Sequence, residues 1–488
     1  MHPRLRALVA ALLMSATALV LPAASAQTDN SNGGAAYQPG NAPDGLPNYG
    51  SMAPRSGARR TANRDNGVRR TSGMEAIPPG VPVDGAPTAA GAGQGQPLYD
   101  GDIQGGPMYD AGPMGPGGGC GCPNDGCGSA ACGMGPCRGP IYFRGEYLSW
   151  WIKGDNAPAL VTTSTDGTLR PQAGVLGQPN TSVLFGDQSL NNLQRSGARF
   201  VLGAWLDPTS RIEGEWFGLG SQSTTFDASS TGSPILARPF FNLGTGAQDA
   251  RVVAFPGQLT GAVHAGESSS FQGAGLQLTE NLLCWNYCTN RSSRLDFLYG
   301  FRYLRLHDNL QINDSATSAT LATTLATSDS FSTSNSFYGG TLGLISETCI
   351  DRWCFTAIGR LGIGGTAERV SINGSTTVTP NTGTPTTSAG GLLAMPTNIG
   401  NYSHDGFTVV PQLELKLGYD LTPNLRFTVG YDIIYWSRVA RPAQQIDTFV
   451  NTSQSGGNTL VGTPGPLFAF HESDLWVQGI SVGGEYRF

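Results

Sequence analysis

The chain has 488 residues, a formal net charge of −6, only 13% charged side chains and 69 glycines. That balance argues against a charge-rich soluble domain, and with no basic stripe to neutralise phosphates it argues against a nucleic-acid partner. Past the amino terminus no run of roughly 18 to 20 apolar residues occurs, so a helical membrane span is not expected and the composition points to strands and loops.

Residues 1–26 carry Arg4 and Arg6, an apolar stretch from Leu8 to Leu21, and Ala24-Ser25-Ala26 before Gln27. This pattern reads as a secretory signal peptide cleaved near Ala26. Residues 27–139 are rich in Gly, Pro, Ala, Asn and Gln without strand or helix periodicity. Such a segment buries too little apolar surface to offset its ordering entropy, so it is expected to be a disordered arm. Its arginines at 55, 59, 60, 64, 69 and 70 form a weak basic patch, read as a solvated tail ahead of a contact with anionic polymer. Near its end stand Cys120, Cys122, Cys127, Cys132 and Cys137, read as disulfide-forming thiols, then as interchain links because five is odd, ahead of a metal site.

From residue 140 to 488 ten segments have strand character: 141–152, 197–206, 211–226, 269–283, 293–311, 331–346, 353–372, 403–420, 424–439 and 474–488. Their connections alternate in length. Short turns at 207–210, 284–292, 347–352 and 421–424 are separated by long Ser/Thr/Gly/Pro-rich loops at 153–196, 227–268, 312–330, 373–402 and 440–473. Short turns on one side and long loops on the other are the asymmetry of an outer-membrane barrel, and an even strand number returns both ends to one side.

Alternation within the segments agrees. In the eighth, Val409, Pro411, Leu413, Leu415, Leu417 and Tyr419 oppose Gln412, Glu414, Lys416 and Asp420. The last pairs an apolar set ending in Ile480, Val482, Tyr486 and Phe488 with Ser481, Glu485 and Arg487. Spanning strands need roughly 9 to 11 residues, and closing the sheet satisfies every strand edge, which lipid demands. Tyr419, Tyr431, Tyr435, Trp436, Trp476, Tyr486 and Phe488 lie near segment ends, where an aromatic girdle is expected. The register blurs after Tyr303 and within 331–346, so bulges are expected there. The fold class is therefore all-β: an antiparallel up-and-down transmembrane barrel of about ten strands, with apolar residues facing lipid and polar residues facing the lumen.

The predicted inward set is Arg144, Arg199, Arg211, Arg302, Arg360, Lys416, Arg426 and Arg487, matched by Glu146, Glu213, Glu215, Asp296, Glu414, Asp420, Asp432 and Glu485. Near balance of sign favours a salt-bridged interior over a single-sign ring that selects ions. Ten strands also sit near the size whose interior fills with side chains, far below the 16 to 18 that leave an aqueous channel. Cys284 and Cys288 flank one short turn, and Cys349 and Cys354 the next. Disulfides are expected, either closing each turn or stapling the two hairpins, whereas spacings of x3 and x4 without a nearby histidine are weak for zinc. No metal and no cofactor is expected. His264, His307, His404 and His471 fall near the outer strand ends, three of them followed by an acid; adjacent strand residues point to opposite faces, so none of these pairs is a dyad by itself and no enzyme is expected.

Three stretches carry a family resemblance. Tyr142-Phe143-Arg144-Gly145-Glu146-Tyr147-Leu148-Ser149-Trp150-Trp151, Leu295-Asp296-Phe297-Leu298-Tyr299-Gly300-Phe301-Arg302-Tyr303 and the closing Gly483-Gly484-Glu485-Tyr486-Arg487-Phe488 resemble the putative beta-barrel porin family 7 of bacterial outer membranes. Arg238-Pro239-Phe240 and Ala254-Phe255-Pro256-Gly257 are similar as well. The resemblance spans about 141 to 488, implies a pore by analogy and brings no catalytic residues. The first expectation for function is thus a porin-like outer-membrane protein passing small solutes through a narrow lumen. The alternative is a structural or surface-adhesion barrel that binds through its long loops and Cys-rich arm, and a rim protease is a remote third. Expected partners are outer-membrane lipid, the barrel-assembly machinery through the carboxyl-terminal strand, and a cell-surface or envelope polymer.

Overall fold

A computed structural model describes residues 140–287 and 291–488. The signal segment, the arm with its arginines and cysteines, and Cys288 lie outside the described residues. The main sheet is antiparallel and twelve-stranded; Gln222–Ser230 and Thr386–Ala389 add at its edges, and ten strands form its ring: β1 (Ile141–Ile152), β2 (Gln194–Trp205), β3 (Ser210–Leu219), β4 (Leu259–Tyr287), β5 (Arg291–Ser318), β6 (Thr324–Ile350), β7 (Trp353–Thr379), β8 (Gly400–Asp420), β9 (Leu425–Val439) and β10 (Ser473–Arg487). Each pairs with the next in the chain, and β10 pairs with both β9 and β1, so the ladder runs round as a ring. No helix among the described residues is long and apolar enough to cross a membrane.

The short connections join strand ends as the sequence suggests. Between β6 and β7 the turn is only Asp351-Arg352, with Asp351 at φ 52°, a left-handed conformation that a short polar side chain tolerates in a tight hairpin. The Cys349–Cys354 disulfide spans this hairpin at directly paired positions. Cys284 is also disulfide-bonded.

The other side departs from expectation. The predicted 211–226 segment breaks after Leu219; Gln222–Ser230 forms a separate strand pairing with residues 261–269 of β4, above the stretch 272–280 that pairs with β3. β4 to β7 run for 27 to 29 residues, roughly two and a half to three times what a bilayer needs. The predicted loop 312–330 shrinks to a turn between Ser318 and Thr324. Nor does the register slip after Tyr303 or within 331–346: β5 and β6 pair without interruption from Arg291 to Thr317. The pattern blurs there because the outward face becomes polar beyond Tyr303 and Tyr338, not because the ladder is disturbed. The shifts lie elsewhere, at Asn281/Leu283 and Trp436/Val439.

The long loops are folded. Val161–Ser164, Thr181–Phe185, Ile235–Asn242, Ala247–Ala254 and Phe449–Val450 form a small second sheet. With the 390s loop it packs an apolar cluster, including Leu236, Phe240, Leu393 and Met395, onto Leu310, Ile312, Phe331, Val370 and Ile372 of the inner face of β5 to β7. Polar anchors hold this module. Arg238 meets Asp314 at 2.8 Å and Asp329 at 2.6 Å, all buried, and Asp329 accepts the backbone N–H groups of Leu392, Leu393 and Ala394.

Candidate functional site: the barrel interior

All sixteen charged lumen residues singled out from the sequence point inward and meet partners. At mid-height Arg199 from β2 bonds Glu146 of β1 and reaches Asp432 of β9 at 2.8 Å. Lys416 lies 2.9 Å from Glu146 and 3.0 Å from Glu414. Arg360 bonds Glu414 and stands 3.8 Å from Glu215, which also meets Arg302 at 3.1 Å. Glu213 accepts from the Tyr142 hydroxyl and from Gln277. Nearer the short turns Arg144 and Arg487 share Glu485 at 3.6 and 2.8 Å, Arg426 joins Asp420 at 2.7 Å, and Arg211 faces Asp296 at 3.9 Å.

Arg294 and Glu347 complete this layer without having been singled out. Arg294 meets Asp296 at 2.7 Å and Glu347 meets Arg426 at 2.7 Å. Glu347 falls in the predicted turn 347–352, which the longer β6 converts into strand; the parity of Ile345 and Cys349 around it is the signal that could have placed it. Several pairs reach between strands that are not neighbours, so they fill the bore. A cavity of only about 50 Å³ remains among them, lined by Arg144, Glu213, Glu347, Lys416 and Glu485.

Above the charges the interior is not polar, contrary to the expected lumen. Leu148, Trp150, Ile152, Phe217, Leu219, Phe271, Leu304, Leu306, Phe337, Val410, Ile434, Trp436, Val439, Leu475 and Val477 form a buried apolar layer inside the ring. Trp436, expected in the outer girdle, is 1% exposed and donates its indole N–H to Thr366 at 2.9 Å. Its neighbour Tyr435 takes the outward place, because successive residues of a strand face opposite sides. Trp150 packs in a tilted arrangement against Phe217, Phe217 likewise against Phe271, and Phe271 approaches Trp436 with ring centroids 6.5 Å apart. β4 and β9 are five strands apart in either direction round the ring, so this last contact spans the bore. Glycine on β7 makes room: a Cβ at Gly362 would come within 3.3 Å of Phe337 and Val410. Arg199 and Arg302 lie beneath, with Trp150 and Phe217 packed on their guanidinium groups.

A second polar layer separates the apolar layer from the loop module. Arg441 meets Asp308 at 2.8 Å and Glu267 at 3.7 Å, while Asp155 accepts the Ala443 N–H at 2.8 Å. Asn335 clasps Ala440 by both its backbone groups. Burial, then the charge of Asp155, pushes the Glu267 carboxyl up to about 9. At the rim Glu368, His404 and Glu472 bring ligand-type atoms within 4.8 Å of one another, but Arg438 already pairs with Glu472 at 2.6 Å. Burial and Glu472 push the Glu368 carboxyl to about 8.

The histidines stay apart from their sequence neighbours. His307 is exposed outward while Asp308 turns in to Arg441, and His264 pairs instead with Asp227 at 2.6 Å on the outer surface. Among the carboxyl-terminal residues Ile480, Tyr486 and Phe488 are exposed on the outer face and Val482 is half-buried beside them.

The family model described as Putative beta barrel porin-7 (BBP7) matches residues 142–488. No curated protein sequence matches. Among solved structures, the outer membrane protease OmpT from Escherichia coli aligns at 9% identity and a TM-score of 0.36, covering 72% of this chain and 97% of that one. The Pseudomonas putida toluene transporter TodX aligns at 7% identity and a TM-score of 0.16, covering 72% and 90%.

Proposed function

The chain belongs to the BBP7 family of β-barrel porins, and from that premise we propose an outer-membrane barrel with an occluded bore, serving as a scaffold that presents its folded loop module at the cell surface. The contact of Phe271 with Trp436 across the ring carries this reading. A hydrated ion or small polar solute would have to part a continuous apolar layer, after first displacing salt bridges whose members cannot be left unpaired without a cost of several kcal/mol. The folded loops, held by Arg238, Asp329 and Arg441, support the display role. Enzymatic activity is no part of the proposal: His307 and Asp308 address opposite sides of the sheet. The partners we assign are membrane lipid around the apolar belt, the assembly machinery at the carboxyl-terminal strand, and an envelope or surface polymer at the loops.

Reconstitution of the purified chain in planar bilayers tests the occlusion. We expect silence across applied voltages, with conductance arising in a Phe271→Ala/Trp436→Ala variant. Stable unitary openings of the unaltered protein would return the account to solute passage through a narrow pore.

A further inference from the structure

The outer surface holds a recess of about 420 Å³ between β3, β4 and β5, lined among others by Trp216, Gln272, Ser270, Arg305 and His307. The register fixes its height. Trp216, Ala274, Tyr303 and Tyr338 lie opposite one another across four strands and form the last aromatic row of the apolar outer face. The next outward row is Gly218, Gln272, Arg305 and Ser336, and above it Ser270, His307 and Ser334. Cationic and hydrogen-bonding groups therefore begin one step beyond the aromatic girdle, where lipid headgroups sit.

The local sequence builds the recess. Gly218 has no side chain, and a Cβ there would stand 2.9 Å from the Trp216 indole, so the ring leans over Gly218 toward the polar rows. Arg305 and His307 are two residues apart on one strand and project together. Two other cations near this height are engaged, Lys153 with Asp474 and Arg438 with Glu472, each at 2.6 Å, whereas exposed Arg369 on β7, opposite Ser334 in the upper row, extends the cationic surface. Arg305 makes no such pair among the described residues. Its planar fork is suited to two phosphate oxygens, with donors on His307, Gln272 and Ser270 beside it.

We propose that this recess binds the phosphorylated headgroup of a lipid in the surrounding leaflet, with Arg305 on the phosphate and Trp216 against the upper acyl chain. The proposal rests on the membrane reading of the apolar belt. Its test is native mass spectrometry of the full chain released from a neutral detergent, titrated separately with dioleoylphosphatidic acid, dioleoylglycerol and inorganic phosphate. Phosphatidic acid should be retained and the other two should not, and Arg305→Gln should weaken retention roughly fivefold, as one cation near a lipid surface does. Arg352→Gln, an exposed site on a short turn, should leave it unchanged, and heat-modifiable gel migration confirms that each variant folds. Equal retention of phosphatidic acid and dioleoylglycerol, or an equal loss in both variants, would overturn the phosphate site while leaving the lipid-facing belt intact. Retention of inorganic phosphate at comparable concentration would overturn the lipid as its source. A chain that stays soluble without detergent would instead bring down the membrane reading itself.

Discussion

β5 follows two opposite rules along its length. Below Tyr303 its outward side chains are Phe297, Tyr299 and Phe301, and its inward ones include Arg294, Asp296 and Arg302. Above, the outward series is Arg305, His307, Asn309, Gln311 and Asn313, and the inward series includes Leu304, Leu306, Leu310 and Ile312. β6 changes at the same row, from Leu344, Leu342 and Tyr338 outward to Ser336, Ser334, Ser332 and Ser330. Each half buries whatever its surroundings do not welcome. Where lipid lies outside, charges must be satisfied within; where water lies outside, the apolar side turns in and packs. The bore is filled in both halves, by ion pairs below and above by hydrocarbon interrupted by the buried Arg441 and Arg238 clusters.

The sharpest way to break this comparison is to remove one member of the lower network. Arg199→Ala leaves Asp432 buried without its main cation, takes one of three cations from Glu146, and should destabilise the barrel by about 3–5 kcal/mol. Urea unfolding in lipid vesicles, followed by tryptophan fluorescence, reads the loss; a change below about 1 kcal/mol would mean that water already reaches those carboxylates.

Next in size is a pair of arginine insertions on one strand. Leu344→Arg on the belt should cost about 2–4 kcal/mol in the same vesicles, the depth-dependent cost of a cation facing hydrocarbon. Ser332→Arg, on the same face above Tyr338, should fall within about 0.5 kcal/mol of the unaltered protein. Equal costs at the two sites would erase the boundary.

A more local effect is set by pH. With its folded carboxyl raised to about 9 from an ordinary value near 4.5, Glu267 holds its proton in the folded state after the unfolded chain has lost it. Loop docking should therefore be tightest at or below about pH 4.5 and weaken as pH rises toward 9. Hydrogen exchange around residues 440–445, corrected for intrinsic rates, should show this opening, and Glu267→Gln should flatten it. An unchanged pH profile in that variant would move the titration to another group.

The lower half was legible in the sequence because lipid imposes a strict two-residue alternation there, and the parity of Glu414, Lys416 and Asp432 follows directly from Leu413, Leu415 and Tyr431. The upper half was harder to read. Serines and threonines suit either loops or strands, so residues 312–330 look like a connection although β5 and β6 continue through most of them. The apolar layer was hidden for a related reason. Leu304 and Phe337 keep the inward parity of Arg302 and Thr341, but their hydrophobicity makes the register look broken when it is the environment that changes. Trp436 illustrates the same point: a tryptophan at a strand end suggests a girdle, while its parity opposite Tyr435 sends it inside.

The boundary itself can be measured directly by placing a nitroxide label at Leu344, Leu342, Tyr338, Ser334 and Ser332 in turn, in the reconstituted protein, and comparing collisions with oxygen and with a water-soluble nickel chelate. The account predicts oxygen dominance at Leu344 and Leu342, a crossover near Tyr338, and nickel dominance at Ser334 and Ser332. Nickel access along the whole series would contradict it, since the apolar face would then meet water rather than lipid.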